Sequence, residues 1–287
     1  MAANRWSGQL ASVALRCGDA GATARFYEKV LGLEPQDLDD GSVRLSWGGR
    51  QPVLELSSGV AGLDRYAIEV PEARELDGLI EAIRSAGIAT RDVPASGAGP
   101  EGIELSDPEG RVLHLHGRVD RSWEHAADPG RRPIRLQHIT FATADLSALE
   151  EFYVDALGFR VSDRMGQAFT WLRCGVEHHT IAAVATEGSP GLDHYSFDLC
   201  GWPDFKTWCD RLSALDVPVT WGPGRHGPGN NLFLMFDDPD GVHVELSAEM
   251  EQYWDDRATY VPRNWEPDPR TVNLWGPTPA WRTPVTS

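Results

Sequence analysis

The chain has 287 residues, a hydrophobic content of 41% and a net charge of −17. That length allows one large or two medium domains with an ordinary packed core. Acidity without a basic stripe argues against a nucleic-acid or anionic-membrane partner, and no apolar run is long enough to span a bilayer.

The first element in chain order opens "LASVALRCGDAGATARFYEKVLGLEP", residues 10–35. It reads as a strand, an acidic helix cap (Asp19), a helix ending in Phe-Tyr, and a Leu-Gly stop. The cap supplies an acceptor to free helix N–H groups, and glycine allows the left-handed exit. "GLDRYAIEV" (62–70) is a second strand, followed by the helix "ARELDGLIEAIRSAGI". "GIELSDPEGRVLHLH" (102–116) is a pair of strands joined by an Asp-Pro-x-Gly turn. The Pro/Gly/Arg stretch "AADPGRRPIR" then reads as a linker.

After the linker the order repeats. "LQHITFATADLSALEEFYVDALGFRV" (136–161) matches the opening, with Asp145 as the cap. "GLDHYSFDL" (191–199) matches the second strand, and "LFLMFDDPDGVHVEL" (232–246) matches the later hairpin. The expectation is an α+β protein of two tandem domains, each of two β-α-β-β-β units curled into a half-open barrel. The expected boundaries are a metal-free domain at 1–120, a linker at 121–133, a catalytic domain at 134–248 and a Trp/Pro-rich tail at 249–287. The tail has little period beyond its first turn and reads as an ordered cover or an oligomer contact. Four cysteines, Cys17, Cys174, Cys200 and Cys209, lack any CxxC spacing and read as buried thiols. With no basic, apolar leader in "MAANRWSGQLASVALRC", a cytoplasmic location is expected.

The repeat is an internal control on polar residues. Where the first copy has Val13, Arg65 and His114, the second has His138, His194 and Glu245. The first set cannot hold a metal. The second, two imidazoles and one carboxylate on strands lining the barrel, suits a mononuclear non-haem Fe(II) site with open positions. The strand "CGVEHHTIAAV" (174–184) adds two adjacent histidines, His178 and His179, which alternate across its faces. Strand parity alone does not say which one faces the cavity.

Residues 8–250 resemble the type I extradiol dioxygenases, two-domain ring-cleaving members of the vicinal oxygen chelate (glyoxalase/bleomycin resistance/dioxygenase) superfamily. "LQHITFAT", "EHHTIAA", "GLDHYSFDL" and "PGRHGPGNNLFLMFDDPDGVHVEL" carry the resemblance. It implies Fe(II), or Mn(II), on His138, His194 and Glu245. It implies His179 as the pocket acid–base residue, His226 as the loop histidine at the substrate's hydroxyl oxygens, and Trp171 as an aromatic wall. The partners implied are an aromatic diol and O2, in a homo-oligomer serving aromatic compound degradation.

One departure is chemical. Met235 stands where the family has a tyrosine, and a thioether neither donates a strong hydrogen bond nor takes a proton. Three readings follow: the substrate is activated another way, another group such as Tyr253 or Asn230 substitutes, or ring cleavage is lost or replaced. The alternative functions are a metal-dependent isomerase or lyase, or a non-catalytic ligand-binding relative.

Overall fold

The computed structural model describes residues 6–47, 52–95, 100–119, 132–254 and 260–279. Most of the expected linker and parts of the expected tail lie outside the described residues. The first half runs β1 (Gln9–Cys17), α1 (Ala20–Leu31), β2 (Glu34–Asp37), β3 (Val43–Ser46), β4 (Leu54–Ser58), β5 (Gly62–Val70), α2 (Ala73–Ser85), β6 (Arg91–Val93), β7 (Gly102–Ser106) and β8 (Val112–Gly117). Its sheet order is β2-β3-β4-β1-β5-β8-β7-β6. That order is two β-α-β-β-β units side by side. Each unit's first strand pairs parallel with its last, and the units join through the antiparallel β1–β5 pair.

The second half repeats the plan. It runs β9 (Arg135–Thr143), α3 (Leu146–Glu151) continuing into a π-helical turn (Phe152–Ala156), β10 (Arg160–Met165), β11 (Phe169–Arg173) and β12 (Ile181–Ala185). Then come β13 (Gly191–Asp198), α4 (Trp202–Ala214), β14 (Val219–Arg225), β15 (Leu232–Asp237) and β16 (His243–Ala248). The tail adds β17 (Arg263–Asn264), which pairs parallel with β10, and the short helix α5 (Pro269–Val272). The sheet order is β14-β15-β16-β13-β9-β12-β11-β10-β17. Laid flat, β14 and β11 would lie about 29 Å apart, six spacings of ~4.8 Å. Trp221 of β14 and Trp171 of β11 nevertheless line one cavity, so the sheet curls around it.

Local chemistry accounts for the repeated corners. The Asp19 carboxylate accepts from Ala22 N at 2.9 Å, and Asp145 accepts from Ala148 N at 3.0 Å. Gly32 closes α1 with φ 67, where a Cβ would be strained. Both Asp-Pro-x-Gly turns are built alike. Asp107 Oδ1 accepts from the N–H groups of Glu109 and Arg111, and Asp238 Oδ1 from those of Asp240 and Val242, all at 2.9 Å. One reading is corrected: Cys17 and Cys174 are buried, but Cys200 is exposed and Cys209 only half-buried. Cys200 immediately precedes the cap of α4, where the chain turns outward.

The two halves dock through matched tyrosines. Tyr195 OH donates to Tyr27 OH at 2.5 Å, and Tyr27 OH donates to Asp238 Oδ2 at 2.8 Å. In the mirrored position the hydroxyls of Tyr66 and Tyr153 bond to each other. All four rings are fully buried. Each Asp-Pro turn also reaches across: Gly18 N and Thr23 Oγ1 donate to Asp240, while Ala144 N donates to Glu109. Tyr27→Phe deprives both Tyr195 and Asp238 of a partner in a dry interface. It should cost about 1–3 kcal/mol of stability, read as a lower urea midpoint.

Candidate metal centre

Three neighbouring strands bring the matched residues together. Ser196 of β13 lies opposite both His138 of β9 and Glu245 of β16, and His194 sits two residues before Ser196, on the same face. His138, His194 and Glu245 are all buried, and one nitrogen or oxygen of each lies within 4.8 Å of the others. Glu245 Oε1 is 3.7 Å from His138 Nε2, and Oε2 is 3.3 Å from His194 Nε2 and 3.8 Å from His226 Nε2. Thr140 Oγ1 lies 3.0 Å from His194 Nε2. The far ring nitrogens have acceptors. His138 Nδ1 faces Gln137 Oε1 at 3.2 Å, and His194 Nδ1 donates to Asp193 Oδ1 at 2.5 Å. Gln137 is itself held by Asp198 at 2.9 Å. These partners turn both Nε2 lone pairs inward.

Electrostatics favour a cation. Burial pushes the Glu245 carboxyl up, but the facing imidazoles, His138 foremost, more than offset this and bring it to about 2. Burial drives His138 down to about 3. Near neutral pH the centre therefore holds an ionised carboxylate and a neutral imidazole. Glu245 Oε2 is fully buried and makes no hydrogen bond. Its Oε1 accepts from Ser196 Oγ and Asn231 Nδ2 at 3.4 Å, but a buried anionic oxygen without a donor is costly, and a divalent ion among these lone pairs would remove the cost. The donor set therefore fits the metal.

The adjacent histidines are resolved by the fold. His179 lines the cavity, with its ring centroid 4.3 Å from that of His138. His178 is fully buried behind it, bonded to His179 and to Asp163. Sequence reasoning passed over Asp163, because its strand gives no sign of the donors that later segments bring to it. His226 follows β14, stacks on Phe233 at 3.9 Å and faces the Val272 carbonyl through Nδ1 at 2.5 Å.

The remaining wall is apolar: Phe169, Trp171, Trp221, Pro228, Met235 and Val272. Trp171 stacks on Phe169 at 4.8 Å. Met235 is fully buried, opposite Glu245 on one side and Trp221 on the other. The enclosed space is about 30 Å³. Asn230 and Tyr253 do not line it. Asn230 is exposed at a turn with φ 50. Tyr253 OH lies 3.1 Å from Tyr260 OH, beneath the His178 ring and outside the cavity. The hydroxyl that does line it is Thr140. Val272 comes from the tail, whose helix α5 closes the cavity; its Trp-rich composition signalled packing but not the place.

In the first half the matched positions have no such geometry. The strand register corrects one pairing: Ser12, not Val13, matches His138, since Ser12 lies opposite Ala67 as His138 lies opposite Ser196. Arg65 pairs with Glu55 at 3.1 Å. His114 is buried, and burial, then His116 and the cations Arg65 and Arg91, lowers it to about 4.

Paired β-α-β-β-β units surround a buried His/His/Glu cluster that could hold one divalent metal ion. Residues 135–246 match the Glyoxalase/Bleomycin resistance protein/Dioxygenase superfamily. An iron-dependent extradiol dioxygenase of Rhodococcus jostii is 27% identical over 93% of this chain and 95% of its own. Metapyrocatechase 2 of Cupriavidus necator is 33% identical over 42% of this chain and 38% of its own. Among solved structures, a Mn(II)-bound glyoxalase from Novosphingobium aromaticivorans has a TM-score of 0.79 at 28% identity, covering 95% of this chain and 91% of that one. The homoprotocatechuate 2,3-dioxygenase of Arthrobacter globiformis shares the fold, with a TM-score of 0.81 at 22% identity over 99% and 92% of the two chains.

Two outcomes are expected. Glu245→Gln should abolish stoichiometric binding of Fe(II) or Mn(II), and Asp193→Ala should weaken it about 10–100-fold, both read by metal analysis and titration. The second concerns pH. Unfolded His114 takes a proton near 6.5 and the folded residue only near 4. The unfolded state therefore binds more protons in that window, and stability falls as pH drops through it. His114→Gln should lose less urea resistance than wild type between pH 7 and pH 4.

Proposed function

We propose that the protein is an extradiol dioxygenase. It opens the ring of an uncharged aromatic diol with O2 at Fe(II), with Mn(II) as the alternative metal. The observation that carries this reading is one cavity that gathers His138, His194 and Glu245 with His179 and His226. The names of the extradiol relatives support it. The catalytic unit in this reading is the second domain, 134–248, beside a metal-free first domain at 1–120. No helix among the described residues is long and apolar enough to cross a membrane. A cytoplasmic homo-oligomer is our expectation.

When bound, the metal would act as a Lewis acid that ionises the diol and as the site of oxygen activation. The protein's own groups do the rest. His179, buried and held well below its ordinary pKa by burial and then by His138, is neutral. It can take the proton of one substrate hydroxyl and return it to the product. His226, anchored on Val272 and Phe233, directs Nε2 towards the same end of the cavity. Trp171, Trp221, Phe169 and Met235 flank the ring and exclude water. No Arg or Lys lines the cavity among the described residues, so a diol carrying a carboxylate would bury a charge without a partner. With only about 30 Å³ enclosed, a diol enters only if a wall moves; Val272 on α5 and Pro228 in the loop after β14 are apolar wall residues outside the strand ladder.

A second reading, a metal-dependent isomerase or lyase, is favoured by Met235 and by the likeness to the Mn(II)-bound glyoxalase. Oxygen use separates the two. After anaerobic loading with Fe(II), 2,3-dihydroxybiphenyl and bicyclic diols should consume one O2 per diol and give a yellow product. Carboxylated catechols should react at least ~10-fold less efficiently. No oxygen uptake with any diol at full iron content would sink the dioxygenase reading. Met235→Tyr should gain activity on simple catechols and lose it on bicyclic diols, because the larger ring occupies the wall. Steady-state kinetics on both classes would check this.

A further inference from the structure

We propose that Asp163 and His178 are positioning residues that hold His179 with its proton on Nδ1 and its lone pair on Nε2, and that the tail's Arg263 and Trp265 maintain this arrangement. The proposal rests on the reading of His179 as the acid–base group.

The argument is a count of donors. His178 Nε2 lies 2.9 Å from Asp163 Oδ2, and His178 Nδ1 lies 2.9 Å from His179 Nδ1. The Asp163 side chain is fully buried and surrounded by donors from the tail. Arg263 Nε donates to Oδ1 at 2.8 Å and Nη2 to Oδ2 at 2.9 Å; Trp265 Nε1 donates to Oδ2 at 2.8 Å. Tyr260 OH adds a bond to Oδ1 at 3.2 Å. With burial acting the other way, His178 and these donors bring the carboxyl down to about 2. Asp163 is therefore an acceptor only, and His178 must carry its proton on Nε2.

Burial keeps His178 below its ordinary pKa, so it is neutral and its Nδ1 holds a lone pair. That lone pair accepts from His179 Nδ1–H. The opposite edge of the His179 ring, with Nε2 unprotonated, belongs to the side that lines the cavity. In the other tautomer two lone pairs would meet at hydrogen-bond distance in a dry site.

Arg263 has a specific part in this logic. Its guanidinium balances the buried charge of Asp163. Without it the nearest available counter-charge is a protonated His178, whose Nδ1 would become a donor. His179 would then accept at Nδ1 and carry its proton on Nε2, with no lone pair for the substrate. A residue outside the cavity thus sets the protonation pattern inside it. The two-residue strand β17 and Trp265 hold the tail against β10, where Asp163 lies.

The test begins with the unmodified chain. With 15N-labelled histidine, in the metal-free and Zn(II)-loaded forms, His179 should show a protonated Nδ1 and an unprotonated Nε2. A through-hydrogen-bond N–N coupling should link it to His178 Nδ1. Arg263→Gln should move proton population to His179 Nε2 and lower kcat about 10-fold. His178→Phe should abolish the coupling and lower kcat about 10–100-fold, with diol KM and metal content little changed. His178→Gln, whose amide can donate to Asp163 and accept from His179, should recover most of that loss. A wild-type His179 protonated on Nε2 would overturn the proposal without variants. So would a glutamine variant no better than phenylalanine. Unchanged kcat in His179→Asn would instead overturn the acid–base reading, and with it the catalytic half of the proposal.

Discussion

A carboxylate buried without a hydrogen-bond partner on one of its oxygens organises the second half of this protein. Glu245 sits near the middle of a curled sheet, and three histidines approach it from two neighbouring strands and a loop. Dry protein around an anion is unfavourable unless a counter-charge is near. Burial keeps two of the nearby imidazoles, His138 and His179, neutral. A bound cation would supply a counter-charge, and its affinity would then be coupled to fold stability.

The same fold appears twice in the chain and is used twice differently. In the first half the central positions carry a serine, an Arg–Glu pair and a buried histidine. In the second they are open to chemistry. The halves stay together through quasi-symmetric contacts. Each Asp-Pro turn meets the start of a helix of the other half, and each Phe-Tyr helix end meets a strand tyrosine there. These contacts are buried and hydrogen-bonded, so the first half acts as a rigid support for the curled sheet that carries the site.

The tail is part of the site. It adds an edge strand, places Val272 over the cavity, and lays Arg263 and Trp265 on Asp163. A segment with little periodicity of its own thus completes both the wall and the hydrogen-bond chain behind His179.

The sequence by itself determined the repeat, the capped helices and the Asp-Pro turns, because these depend on neighbours a few residues apart. It also named His138, His194 and Glu245, because the first copy lacks a full set of metal ligands at the matched positions. It left open which of two adjacent histidines faces the cavity. It offered Asn230 and Tyr253 as substitutes for the missing tyrosine, yet the chain turns one outward and places the other behind His178. Tertiary structure alone decided those matters, along with the roles of Thr140, Asp163 and the tail. The reason is physical: a side chain's partners in a curled sheet come from strands and segments tens of residues away. Only closure of the sheet brings their charges and lone pairs within a few ångströms of one another.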